Sequence, residues 1–395
     1  MGSSLGAAAT LEDFDEPYAL LARLREHEPV AWVAVLDGWL VTRRDLAMDV
    51  MNAPETFTVD DPRFSTGRVV GPSMLTLDGA EHRRHRAPFA PPFRLDAVRE
   101  RFTGAVAEET ERLIDAFAPA GRAELRRSFA GPLAAAVVMH ALGLRGTPPE
   151  VVLGWYDGIV EAVDEITRGR PLSERGRTSF AALRDALGPA LDRDAANSLV
   201  AAVAEDAAGL ERDEVVSNAA VLLFGGIETT EGMIANAVAH LLAHPDQRAR
   251  VEADPGLLAS AVEESLRLEP AAAVLDRYAT RDVDFGGAAI RRGDLVRISV
   301  TAANRDPEAF PDPDRFHVER PNAARHLAFA RGPHVCIGMH LARLEAHAAV
   351  GRLLARLPGL RLDPDHPCAP RGLVFRKPPA LWVQWGGERE CATPA

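Results

Sequence analysis

Cys336 lies in the segment Phe329-Ala330-Arg331-Gly332-Pro333-His334-Val335-Cys336-Ile337-Gly338, a loop punctuated by glycine and proline just before a helix. A thiol at a helix N-terminus sees the positive end of the dipole, which lowers its pKa and favours thiolate, the form that binds metal. A lone cysteine taken by itself reads as a buried structural thiol. Its surroundings argue further: no C-x-x-C and no second nearby cysteine exists, so a zinc or iron–sulfur site would lack ligands. A single thiolate without companions fits haem iron. Cys368 and Cys391, in a Pro-rich segment and a polar tail, read as structural.

Three other groups have spacing that suggests chemistry. Val221-Leu222-Leu223-Phe224-Gly225-Gly226-Ile227-Glu228-Thr229-Thr230 is apolar nearly all round a long helix, hence buried. Two glycines inside a helix cost roughly 1 kcal/mol each relative to alanine, and a close approach of something flat is a reason for them. Thr229 follows Gly225 by four residues, so its hydroxyl can bond that carbonyl and open the helix into a groove for dioxygen and water. Glu228 and Thr229 place an acid and an alcohol at that groove. In Glu264-Ser265-Leu266-Arg267 the i, i+3 spacing puts carboxylate and guanidinium on one face, which alone describes an ordinary surface pair. In Asp78-Gly79-Ala80-Glu81-His82-Arg83-Arg84-His85-Arg86, His82 and Arg86 share a face at i, i+4 and suit paired carboxylates.

The elements that must position these groups are mostly helical. Asp37-Gly38 between Val30–Leu36 and Trp39–Thr42 predicts a hairpin and a small sheet. From about Leu95 to Leu268 apolar residues recur every three or four, with breaks at Gly121, Gly146-Thr147-Pro148-Pro149, Gly169-Arg170-Pro171 and Gly209. β-like runs (Leu295–Val300, Trp382–Trp385) follow, around a stretch whose Pro307, Pro311, Pro313 and Pro321 forbid regular structure. A last helix is predicted from near Gly338 to about Leu357. No repeat or linker marks a boundary, so residues 1–395 read as one domain, with about ten residues at each end expected to be disordered.

Composition narrows the function. With 45 Lys+Arg against 57 Asp+Glu the formal charge is −12, which argues against a nucleic-acid partner. Lys377 is the only lysine. The longest apolar stretch, near Leu133–Met139, falls far short of the roughly 18 residues of a membrane span. No signal-peptide pattern opens the chain and three cysteines make no disulfide framework, so a cytoplasmic protein is expected.

The F-x-x-G-x-H-x-C-x-G loop resembles the cysteine-ligand loop of the cytochrome P450 haem-thiolate monooxygenases, and the other motifs follow in that family's order from about Leu11 to Trp385. Glu264 and Arg267 resemble its E-x-x-R pair, with Arg320 the third member of a buried ion network. The Gly225–Thr230 segment resembles its oxygen-binding motif, with Glu228 where many members carry Asp. His82, Arg86, Arg277 and His334 match its haem propionate ligands. One departure is Ala330, at a position usually held by glycine. The resemblance implies a mainly α fold with a small β region, a single triangular domain enclosing haem b (protoporphyrin IX iron) between the Gly225 helix and Cys336, its axial thiolate. It implies insertion of one oxygen atom from O2 into a small, mostly apolar substrate, in bacterial secondary metabolism or catabolism. Electrons would come from a ferredoxin and its reductase docking on a face that includes Arg83, Arg84 and Arg343, and the protein is expected to be a monomer. Pocket walls are expected from Val70, Met74, Val221, Leu222, Ala272, Ala273, Leu275, Val374 and Phe375, with Arg63 and Arg68 solvent-exposed nearby. Oxidative coupling, ring closure and peroxygenase chemistry on the same haem remain alternatives, as does a substrate tethered to a carrier protein. A non-catalytic haem-binding protein would need neither Glu228 nor Thr229.

Overall fold

The computed structural model describes residues 4–144, 146–167, 170–192, 199–205 and 209–386; Gly169 and Cys391 lie outside the described residues. Helices α1 (Leu5–Ala8) and α2 (Tyr18–His27) precede strands β1 (Val30–Val33) and β2 (Gly38–Val41). There follow α3 (Arg44–Asn52), β3 (Phe57–Thr58), α4 (Ser65–Val70) and α5 (Gly79–Arg86). The helical half runs through α6 (Leu95–Phe117), strand β4 (Arg122–Glu124), α7 (Gly131–Leu142), α8 (Pro149–Thr167), α9 (Glu174–Leu191), α10 (Leu199–Glu205), α11 (Arg212–Ala243), α12 (Pro245–Ala253) and α13 (Leu258–Leu268). The last part carries β5 (Val274–Ala279), β6 (Val283–Phe285), β7 (Ala288–Ile290), β8 (Leu295–Ser299), α14 (Val300–Ala303), α15 (Met339–Arg356), β9 (Arg361–Leu362) and β10 (Trp382–Gln384).

One expectation changes near the N-terminus. In α1, Ser4 Oγ accepts from Ala7 N–H, and the Glu28 carboxylate accepts from the N–H groups of Leu5 and Gly6 at 2.8 and 3.2 Å. The hairpin forms with Val30 opposite Val41, but its connection is longer than Asp37-Gly38 alone. Ala34–Leu36 wind into a 3-10 turn and Asp37 takes a left-handed φ of 47°, so β1 ends at Val33.

The main sheet has the order β1-β2-β8-β5-β3, with β2 and β8 parallel and the other pairs antiparallel. Side chains alternate between its faces. One face joins Val41, Val296, Ile298 and Leu275 to Met51 and Leu327; the other joins Leu40 to Phe14, Leu21, Leu24, Leu36 and Leu373. The short strand β4, which pairs with β10, was not anticipated.

Helix α11 is the central member of the largest core cluster and is buried along most of its 32 residues. Its start is fixed by reciprocal bonds between Glu211 and Glu214 side chains and backbone. The proline-bearing stretch around 307–321 has no helix or strand. Its carbonyls are satisfied by two buried guanidiniums: Arg267 donates to Asn304, Pro313 and Arg315, and Arg320 to Pro311, Asp312 and Arg315. Both also grip Glu264, Arg267 at 2.7 and 2.9 Å and Arg320 at 2.9 and 3.0 Å, and the Glu264 and Arg267 side chains are fully excluded from solvent. The pair is a core clamp on irregular chain, not a surface contact.

Candidate active site

A cavity of about 1260 Å³ is bordered by the Cys336 loop, by α11 and by parts of α5, α8, β5, β8 and residues 372–375. Cys336 N–H donates to Phe329 O at 2.8 Å, closing the loop on itself. Burial pushes the Cys336 thiol up; the Gly338 N–H, Arg86 and Arg343 pull it down without reversing that direction. The expected lowering at the helix start is thus outweighed in the polypeptide alone. Among the described residues no cluster of three or more His, Cys, Asp or Glu could hold a metal ion, so a metal at Cys336 must bring most of its own ligands.

Across α11, the Thr229 hydroxyl donates to Gly225 O at 2.6 Å, the bond its i, i+4 spacing foretold. The two glycines divide their roles. A Cβ on Gly225 would meet nothing within 4 Å, so this glycine borders open cavity, whereas one on Gly226 would lie 3.3 Å from Val138. Glu228 borders the same cavity and is 4% exposed. It is not free to swing: Lys377 Nζ lies 2.8 Å from Glu228 Oε1 and 2.8 Å from Glu231 Oε2, and Arg126 Nε donates to Glu231 at 2.8 Å.

The four residues expected to meet carboxylates gather beside Cys336. His82 is buried and its ring packs 4.4 Å from that of His334. His82 Nε2 is buried without a hydrogen-bond partner, and burial, followed by His334 and Arg86, pushes its pKa down to about 4. His334 Nε2 is paired with Asp78 Oδ1 at 2.7 Å. Burial raises Asp78, but bonds from His334, Thr58 and Val59 outweigh it and hold the carboxyl below its ordinary value. Arg86 donates to Val335 O at 2.6 Å and Arg277 to Asp276 O at 2.7 Å; both border the cavity. Two guanidiniums and a lone thiol border one cavity, and the orphaned His82 nitrogen belongs to a ring packed on the wall residue His334; the set fits a porphyrin with two carboxylates and an iron.

Met74, Val221, Leu222, Ala272, Leu275, Val374 and Phe375 line the cavity as expected; Val70 and Ala273 do not. Val70 is 1% exposed and packs into the main core from α4. Ala273 alternates away from Ala272 and is tied by backbone bonds to Val374 and Val300. Arg84 is held by Glu81 and Glu214, and Arg343 by Glu263, so of the three arginines expected at a docking face only Arg83 stands exposed without an ion pair among the described residues. Arg63 is paired to Asp61 and lies over the Tyr278 ring at 4.5 Å.

Sequence reasoning missed several lining residues. Val160 and Val163 project from α8, and the apolar period of that helix was the available signal. Glu345, nine residues after Cys336, lines the cavity with Oε2 buried and unpartnered, and burial pushes its carboxyl well up. Asp276 and Arg297 also line it, and nothing in the sequence marked them.

Comparison with known proteins follows the same direction. The family model described as cytochrome P450 matches residues 256–381. Cytochrome P450 monooxygenase PikC of Streptomyces venezuelae is 36% identical, across 98% of this chain and 95% of the relative. The 20-oxo-5-O-mycaminosyltylactone 23-monooxygenase of Streptomyces fradiae is 35% identical, across 87% of this chain and 83% of its own length. The crystal structure of P450BioI in complex with a hexadec-9Z-enoic acid ligated acyl carrier protein superposes with a TM-score of 0.84 at 28% identity, across 95% of this chain and 99% of that one. No helix among the described residues is long and apolar enough to cross a membrane.

Proposed function

The chain belongs to the cytochrome P450 family, and from that premise we propose how its own residues serve a haem-thiolate monooxygenase acting on a bulky, mostly apolar molecule. It is an oxygen-inserting enzyme of bacterial secondary metabolism, with Cys336 as the axial thiolate. Haem, when bound, supplies the activation of dioxygen, which thiolate ligation favours. The observation that carries the reading is one cavity bordered both by the Cys336 loop and by the Gly225–Thr229 turn of α11.

His82, Arg86, Arg277 and His334 would hold the two propionates, as charge-assisted donors to carboxylates do. Burial of the orphaned His82 Nε2 supports this, because an unpartnered buried donor or acceptor is costly until a ligand meets it. Thr229 holds a proton at Oγ1 beside the open face of Gly225, and Glu228 is the carboxylate that resupplies it through groove water. The aliphatic walls from Met74, Val221, Leu222, Leu275, Val374 and Phe375 exclude bulk water and suit a lipophilic substrate. The Streptomyces fradiae relative, by its name, acts on a mycaminosyltylactone, a molecule of that size class. Electrons come from redox partner proteins, here a ferredoxin and its reductase, delivered to a monomer.

The test is spectroscopic, then chemical. The reduced protein with carbon monoxide is expected to show the absorption band that names the family, and Cys336→Ser to lose it. With a substrate found by ferric binding-shift screening, Thr229→Ala is expected to keep substrate affinity and cofactor consumption while product falls and hydrogen peroxide rises. Unchanged product per electron pair in Thr229→Ala overturns the proton role.

A further inference from the structure

The face of the main sheet that packs on Phe14, Leu21, Leu24, Leu36 and Leu373 carries two charged side chains among its apolar ones. Arg297 on β8 is the register partner of Leu40 on β2 and of Asp276 on β5, so all three side chains share that face. Leu275 and Arg277, one residue to either side of Asp276, point to the opposite face, toward the propionate-binding group.

Arg297 and Asp276 are poorly satisfied. Arg297 is 6% exposed, its Nε is buried without a hydrogen-bond partner, and its nearest anion, Asp276 Oδ1, is 3.5 Å away and itself unpartnered. Burial raises the Asp276 carboxyl, and Arg297 and then Arg277 lower it without reversing the direction. A loosely paired charge couple on an apolar face is costly, and well-packed hydrophobic residues would serve the fold as well or better. Both residues border the cavity, where Leu36, Phe64 and Leu373 also contribute to the wall.

We propose that Arg297 and Asp276 form a polar anchor for the substrate, taking a hydroxyl group carried by an otherwise lipophilic molecule. The chemistry follows from the pair. A hydroxyl accepts from the Arg297 guanidinium and donates to the Asp276 carboxylate, satisfying both with one neutral group. A carboxylate would gain Arg297 but face Asp276, and an ammonium group would meet the reverse conflict. Lying on the sheet face away from Arg277, the anchor fixes the end of the substrate remote from the propionates. It thereby sets which carbon reaches the Gly225–Thr229 turn of α11. This inference rests on the monooxygenase reading above and assigns its substrate class.

The test uses calorimetric titration of the haem-loaded protein with androstanol, its methyl ether and its hemisuccinate ester, rigid lipophiles that differ in one group. The wild type is expected to bind the alcohol at least about tenfold more tightly than the ether, the effect of one hydrogen-bonded group between a charged donor and acceptor. The double variant Arg297→Leu/Asp276→Leu, which replaces the pair by hydrophobic residues, and the single variant Asp276→Asn are both expected to lose that preference while keeping the carbon monoxide band. Equal affinity for alcohol and ether, tighter binding of the hemisuccinate, or no binding of androstanol by a protein that shows the band overturns the anchor alone. Absence of the band from the wild type overturns the monooxygenase reading instead.

Discussion

Lys377 Nζ lies 2.8 Å from Glu228 Oε1, so the only lysine of the chain is ion-paired to the carboxylate one residue before Thr229. It bridges to Glu231 as well, and Arg126 completes a buried group of two carboxylates and two cations. Lys377 follows the segment 372–375 that borders the cavity, so it ties that wall to α11 at the level of the proton-carrying residue. It acts through Glu228 and is a positioning residue.

Glu228→Gln and Lys377→Met are each expected to slow product formation about tenfold or more, within the range for positioned proton-transfer groups. If the two act as one unit, the double variant is no slower than the worse single variant. Lys377→Arg should restore most of the rate, since it keeps the charge between the two carboxylates. Losses that add in the double variant, or a Lys377→Arg enzyme as slow as Lys377→Met, would show that the lysine only packs the wall.

Arg267→Ala removes more than a surface pair. Glu264 would retain Arg320 and the His317 N–H, but the carbonyls of Asn304, Pro313 and Arg315 would lose a donor that is wholly buried. Breaking such a buried pair costs about 3–5 kcal/mol. Against a typical stability of roughly 5–15 kcal/mol, little haem-loaded protein should accumulate. Thermal unfolding and haem content equal to wild type would show that the clamp contributes nothing.

How far the sequence carried these conclusions depended on whether a group declares itself locally. Gly225 and Thr229 are set by spacing within one segment and meet as that spacing implied; Glu264 and Arg267 pair as theirs implied, but their burial, like the surroundings that raise the Cys336 thiol, is decided by chain packed from elsewhere. Lys377 and Glu228 are 149 positions apart in sequence and meet only because residues 372–377 fold back on α11, so no periodicity could join them. Arg297 and Asp276 are likewise joined by register, which depends on the pairing of β5 with β8. The failure at Ala273 was of phase: Ala272 and Ala273 are chemically alike, and which one faces the cavity is decided by the direction of a short extended segment.

The Cys336 loop contains two residues in the left-handed region, and they differ in what a Cβ would meet. Ala330 adopts φ 57° and is partly buried against the second core cluster, so part of the strain of about 1–2 kcal/mol is offset by burial. Gly332, at φ 69°, has Met51 O only 2.5 Å from where a Cβ would stand. That atom is backbone and cannot yield. Ala330→Gly is therefore expected to be near neutral, within about 0.5 kcal/mol, whereas Gly332→Ala should cost about 2 kcal/mol or more from strain and clash together. Denaturant unfolding of the two variants checks the ordering, and a Gly332→Ala protein as stable as Ala330→Gly would contradict the loop geometry.

Acid stability should depend on His240, in the last turn of α11. Its Nδ1 is 2.9 Å from Ser265 Oγ, and its ring stacks on Phe316 with centroids 5.2 Å apart. Burial, followed by Arg305, His244 and Arg267, pushes its pKa down to about 3 from the ordinary 6.5. The native state therefore excludes a proton that the unfolded chain binds below pH 6.5. Because the unfolded state holds more protons between pH 6.5 and about 3, stability rises with pH through that window and is complete above it. Each unit is worth at most about 1.4 kcal/mol, so this residue alone removes up to about 2 kcal/mol on going from pH 6.5 to pH 5. His82 titrates in the same sense, down to about 4, and steepens the acid limb of protein without haem. His240→Phe keeps an aromatic ring over Phe316 and deletes the proton site. Its stability measured at pH 7, 6 and 5 by denaturant titration should fall less steeply than that of the wild type, whatever its absolute value. Parallel curves for the two proteins over that range would show that His240 is protonated as readily in the fold as outside it.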